Sequence, residues 1–285
     1  MVRAEQITPP VAGHGEGPVW SGGWGGLRYV DMLAGDVLHL DPGTGEVSRW
    51  HVGIVAAALR PRAAGGAVIA TEHDFVVCDE MGGAVRTIAT PVTDDGIRFN
   101  DGGCDPAGNF LCGTMAYSQA PGAGNLYRLG ADHAVESVLA GVTISNGLAC
   151  TADGSLAYYI DTPTGRIDVF DSDGTGALRN RRTFVSIPGD TGHPDGLTVD
   201  AEGGVWCALW DGRAVHHYSP DGSLQQVVDV PTAKVTACTF GGVALDELYI
   251  TTSQEGSSEP EAGVAGALYR YLPGVTGLPV RPFAG

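Results

Sequence analysis

One short signal recurs along this chain at a nearly fixed interval, and it limits what the chain can fold into. An amide or carboxylate residue followed closely by glycine stands at Asn100-Asp-Gly-Gly, Asn146-Gly-Leu-Ala and Asp195-Gly-Leu-Thr, 46 and 49 residues apart. Some 40 residues further on lies Val235-Thr-Ala-Cys238. Stepping backward at about the same interval finds Val55-Ala-Ala-Ala58 and then Gly15-Glu-Gly-Pro18. Six copies fill 285 residues.

Each unit reads as β structure. Turn signals such as Asp105-Pro-Ala-Gly108, Thr151-Ala-Asp-Gly154 and Asp200-Ala-Glu-Gly203 supply local hydrogen bonds and positive φ. Short runs rich in β-branched and aromatic residues follow them, including Leu156-Ala-Tyr-Tyr-Ile160 and Gly204-Val-Trp-Cys-Ala208. No helical periodicity extends over 12 residues. The 44 glycines lie between apolar runs rather than in tracts, as tight turns require. A period of about 40 to 50 residues with four strands per unit is the pattern of a propeller blade. The expected fold is therefore all-β: a six-bladed β-propeller with four-stranded antiparallel blades, forming one domain over residues 1–285. A solenoid is the alternative, but closure protects strand edges that a solenoid leaves open. The segment Gly266-Ala-Leu-Tyr-Arg-Tyr271 is expected to supply a strand that closes the ring with the N-terminal blade.

Charge and cysteine usage exclude several classes of partner. With 33 acidic against 16 basic residues, the net charge of −17 disfavours nucleic acid and anionic membranes. Lys234 is the one lysine, so Schiff-base chemistry has a single candidate. The six cysteines include no C-x-x-C pair and read as free thiols in a reducing compartment. The N-terminus lacks a signal-peptide pattern, and no run of about 18 apolar residues occurs. A cytoplasmic protein, monomeric or weakly self-associating, is the expectation.

In a propeller, equivalent positions of successive repeats converge on the central axis. Asn100, Asn146 and Asp195 share that phase, and Glu16 joins them from the first repeat. Any one of these dipeptides alone could be only a tight turn. Together they form an oxygen-only donor set that suits Ca²⁺, Mg²⁺ or Mn²⁺, with Zn²⁺ left open. His14 and His193 stand close enough in sequence to reach the same place. No Gly-x-Ser-x-Gly elbow, His-Glu-x-x-His motif or phosphate loop is present.

Several stretches resemble the senescence marker protein-30/gluconolactonase/regucalcin family of sugar lactonases. They include Gly15-Glu-Gly-Pro-Val-Trp20, Arg98-Phe-Asn-Asp-Gly102, Gly113-Thr-Met115, Ile144-Ser-Asn-Gly-Leu148, Tyr159-Ile-Asp161, Pro194-Asp-Gly-Leu197 and the closing Phe283-Ala-Gly285. The resemblance runs from about residue 14 to the end. It implies one divalent ion held by Glu16, Asn146 and Asp195, and hydrolysis of a sugar lactone to the aldonic acid, with Asp195 as general base. It implies substrate contacts for Arg98 and Asn100. Many members carry a glutamate two residues after the methionine of Gly-Thr-Met; this chain has Tyr117 there, expected to line the pocket by stacking or through its hydroxyl, which leaves the preferred sugar open. The alternative reading is a calcium-binding regulatory protein without significant lactonase activity.

Overall fold

Six sheets share the strands of the chain in the computed structural model, which describes residues 2–256 and 261–285. Each sheet is one blade; in four of them the strands run outward from the axis in chain order, and the last two add an N-terminal strand at the outer edge. The innermost strands are Gly15–Ser21, Ala58–Pro61, Ile97–Cys104, Ser145–Cys150, His193–Val199 and Val235–Gly241. Apart from one parallel pair, Val2–Arg3 beside Leu224–Asp229, every ladder is antiparallel. The six-bladed propeller expected from the repeat is therefore the fold. No helix among the described residues is long and apolar enough to cross a membrane.

Closure differs in detail from the expectation. Tyr269–Tyr271 is the third strand of the last blade and does not join the N-terminal one. The N-terminal segment crosses instead: Glu5–Gln6 adds the outermost strand of the last blade, with Glu5 opposite Arg270 and paired to its guanidinium at 3.1 Å. The first and last parts of the chain thus share one sheet, which satisfies backbone groups that an open ring would leave unpaired.

The glycines of the repeat have a packing role beyond turn chemistry. Gly147 and Gly196 lie inside innermost strands. A Cβ on Gly147 would stand 2.7 Å from the Asp195 carbonyl oxygen, and one on Gly196 only 2.4 Å from the Ala237 Cβ. Neighbouring innermost strands approach so closely near the axis that only glycine fits between them.

Residues after Tyr271 run across the face where the innermost strands end. The Ala201 N–H donates to the Thr276 carbonyl, Gly277 N–H to Leu245, Phe283 N–H to Pro61, and Ala284 N–H to Gly108. Phe283 is fully buried and joins the apolar cluster that contains Phe75, Phe99 and Phe110. The tail so closes one end of the channel and leaves the other as the open mouth.

Truncating a fully buried Phe costs about 3–5 kcal/mol in a well-packed core. Phe283→Ala is expected to lower the unfolding free energy by that order, read as a lower midpoint in urea unfolding. An unchanged midpoint would show that the tail does not help to hold the ring.

Candidate active site

Five of the six innermost strands carry a register shift close to the open mouth. The shifts fall between Glu16 and Val19, Phe99 and Gly102, Asn146 and Leu148, Pro194 and Leu197, and Val235 and Ala237. A bulge adds one residue to one strand and re-aims the side chain beside it. Glu16, Asn100, Asn146 and Asp195 each lie at or directly beside such a shift, on four separate innermost strands.

The strands are also held at their entries. The Asp31 carboxylate accepts from the Gly13 and His14 N–H groups at 3.1 and 2.9 Å, fixing the approach to Glu16. Asp161 does the same for Thr143 and Ile144 ahead of Asn146. The second blade has only alanines, Ala56 to Ala58, where its innermost strand begins, and the sixth has Thr236, whose hydroxyl donates to the Gly15 carbonyl at 2.6 Å.

A cavity of about 360 Å³ opens at the mouth and is lined by Glu16, Arg98, Asn100, Asn146 and Asp195 together with His14, His193 and Trp210. Five of the six residues given a site role from the sequence therefore meet in one place, and His14 and His193 join them there. The sixth, Tyr117, does not line this cavity. It is 46% exposed at the rim, its ring lies 5.7 Å from the Arg98 guanidinium, and its hydroxyl donates to Glu72 at 2.6 Å. Its reach into the site runs through Arg98.

The electrostatics of the mouth are unusual for a protein interior. Glu16 and Asp195 are buried, and burial is the main reason both carboxyls are pushed up. Asp101 adds negative charge beside both, and Glu16 adds more beside Asp195. The Gly17 N–H, then Arg98, offset only part of this at Glu16. Asp195 Oδ1 is buried without a hydrogen-bond partner. His14 is held neutral, lowered to about 4 by burial and by Arg98, with Asp31 opposing.

This donor set fits a divalent cation. Two buried carboxylates, one oxygen unclaimed, and the amide oxygen of Asn146 are hard ligands of the kind such ions take. Among the described residues no group of three or more His, Cys, Asp and Glu side chains is assembled for a metal, so the amide is needed to complete the site.

Some participants were not visible in the sequence. Thr162 accepts from Asn146 Nδ2 and Trp210 walls the cavity, while Asp101 acts on the carboxylates by charge. A weak signal for Thr162 existed: Asp161-Thr-Pro-Thr-Gly165 parallels Asp31-Met-Leu-Ala-Gly35, and both form an aspartate, a short 3₁₀ turn and a left-handed glycine at the mouth.

Comparison with known proteins converges on one group. The family described as SMP-30/Gluconolactonase/LRE-like region matches residues 14–254. Regucalcin of Oryctolagus cuniculus is 35% identical over 299 aligned residues, covering 100% of this chain and 99% of that protein. The solved structure of a luciferin-regenerating enzyme is 31% identical, with a TM-score of 0.85 over 99% of this chain and 97% of the other. A regucalcin from Agrobacterium tumefaciens, described as a calcium-binding protein, is 26% identical with a TM-score of 0.91 over 99% and 97%.

The raised carboxyls give a signed pH dependence. Glu16 moves from an ordinary 4.5 to about 8, so the folded chain holds a proton that the unfolded chain has lost. Stability from this group therefore falls as pH rises toward 8. Below 6.5 the depressed His14 pulls the other way, because the unfolded chain binds that proton, so the clean window is about 6.5 to 8. In that window the melting temperature of the chelated protein is expected to fall, and the increment produced by added Mn²⁺ to grow. An increment independent of pH would contradict the burial of charge described here.

Proposed function

Because the chain belongs to the SMP-30/gluconolactonase/LRE-like family, we propose that it is a divalent-metal-dependent sugar lactonase, opening an aldonolactone such as gluconolactone or a pentonolactone to the aldonic acid. The observation that carries this reading is the convergence of Glu16, Asn146 and Asp195 with Arg98 on one cavity, with Asp195 Oδ1 left unpaired. An ion held by Glu16, Asn146 and Asp195 — Ca²⁺, Mg²⁺, Mn²⁺ or Zn²⁺ — would supply Lewis-acid polarisation of the lactone carbonyl and neutralise the two carboxylates.

The chain's own groups divide the remaining work. Asp195 takes a proton from the attacking water and returns it to the leaving ring oxygen. A carboxylate in a poorly solvated site is suited to that task. Arg98 donates charge-assisted hydrogen bonds to the lactone or to sugar hydroxyls. Asn100 accepts from Arg98 Nη1 at 2.7 Å and so fixes the guanidinium beside the cavity. Tyr117 braces the same guanidinium from the rim. The cavity volume lies within the range of small-ligand sites and is a fit for a single sugar ring.

The acidic net charge disfavours nucleic-acid and anionic-membrane partners, and with this reading we propose a cytoplasmic protein, monomeric or weakly self-associating. The regucalcin relatives favour one rival, a calcium-binding regulatory protein that uses the same donor set without turnover.

A panel of aldonolactones assayed by acid release, with chelated protein resupplied with single metals, separates the two. Turnover lost on chelation and restored by metal supports the enzyme; tight Ca²⁺ binding with no turnover of any lactone supports the binder. Asp195→Asn is expected to reduce turnover about 10²–10⁴-fold, the usual worth of a positioned base. An unchanged rate would remove Asp195 from that role.

A further inference from the structure

A directional chain of hydrogen bonds runs through the mouth and ends at a residue that nothing so far gives a role. Arg98 can only donate, and Nη1 meets Asn100 Oδ1 at 2.7 Å. Asn100 therefore turns its amide nitrogen the other way, donating to the Ser145 carbonyl and to Asn146 Oδ1, both at 2.9 Å. The oxygen of Asn146 is thereby fixed toward Asn100 and the axis. Its nitrogen faces Thr162 Oγ1 at 2.8 Å, and that hydroxyl accepts. The Thr162 proton then goes to the Pro194 carbonyl at 2.8 Å, which can only accept. Both ends of the chain are of fixed polarity, so every amide between them has one orientation.

The geometry points to Thr162 as a positioning residue that holds the Asn146 carboxamide with its oxygen, not its nitrogen, turned to the proposed cation. This rests on the metal-bearing reading of the site. A flipped Asn146 would present an NH₂ group to the ion, and the flip is resisted at both ends: Asn100 offers only a donor, and the Thr162 hydroxyl has its proton committed to Pro194. Thr162 also ties the fourth blade to the residue directly before Asp195, so one hydroxyl braces two members of the donor set. Its place at the start of the 3₁₀ turn Thr162–Thr164, closed by left-handed Gly165, holds that hydroxyl in position.

Such outer partners commonly change metal affinity by ~10–100-fold. The test uses full-length protein, Mn²⁺ alone as probe, and titration calorimetry or the electron paramagnetic resonance signal of free Mn²⁺. Thr162→Val keeps shape and removes the hydroxyl; it is expected to weaken Mn²⁺ by that factor while the melting temperature of the chelated protein stays near wild type. Thr162→Ser restores the hydroxyl and is expected to restore affinity. The discriminating measurement repeats Thr162→Val in an Asn146→Asp background. A carboxylate has oxygen on both sides and no wrong orientation, so the loss should largely vanish there. An equal loss in both backgrounds, or none in the wild-type background, overturns the inference while leaving the metal reading intact. If Thr162→Val fails to fold, failure of Thr162→Ser to match wild-type affinity overturns it. Absence of Mn²⁺ uptake by wild-type protein overturns both.

Discussion

Negative charge confined near the propeller axis is the constraint on which the site depends. Glu16 and Asp195 come from the first and fifth blades, yet burial raises both carboxyls, with Glu16 adding charge beside Asp195 and Asp101 beside both. A buried charge without a partner is costly, and a group in that position either neutralises itself or finds a counter-charge. The chain provides one guanidinium, Arg98, which is itself buried and shared with Asn100. Protons can satisfy the pair when the site is metal-free; a divalent ion satisfies it while leaving the carboxylates ionised. The chemistry proposed for the mouth follows from that competition.

The scaffold serves this concentration of charge in ways that do not themselves involve ligands. Bulges re-aim the side chains, Asp31 and Asp161 fasten the entries of two innermost strands, and glycines at 147 and 196 let neighbouring blades approach. The shared last blade and the tail across the far face hold the circle closed. A propeller is suited to such a site because each donor sits on its own rigid sheet, and the cost of holding like charges together is spread over several blades.

The circular repeat was legible in the sequence because period and turn chemistry are local properties. Glu16, Asn100, Asn146 and Asp195 were legible because each falls at the same phase of the repeat, and Arg98 through the family resemblance of Arg98-Phe-Asn-Asp-Gly102. The closing strand was misplaced because pairing of Glu5–Gln6 with Tyr269–Tyr271 joins residues more than 260 apart, with no periodic signal. Thr162 directly follows a second strand and Trp210 ends one, outside the phase that aligns the innermost strands, and their places at the mouth depend on three-dimensional convergence. The glycines read as turn formers partly for the wrong reason: those after Asn146 and Asp195 are needed for interstrand approach.

The most direct test of the account is a crystal of the full-length chain soaked in Mn²⁺ and measured at a wavelength where manganese scatters anomalously. The account predicts a single strong peak at the mouth, bounded by Glu16, Asn146 and Asp195. A peak elsewhere, or separate weak peaks beside individual carboxylates, would contradict the claim that these blades gather their oxygens around one ion.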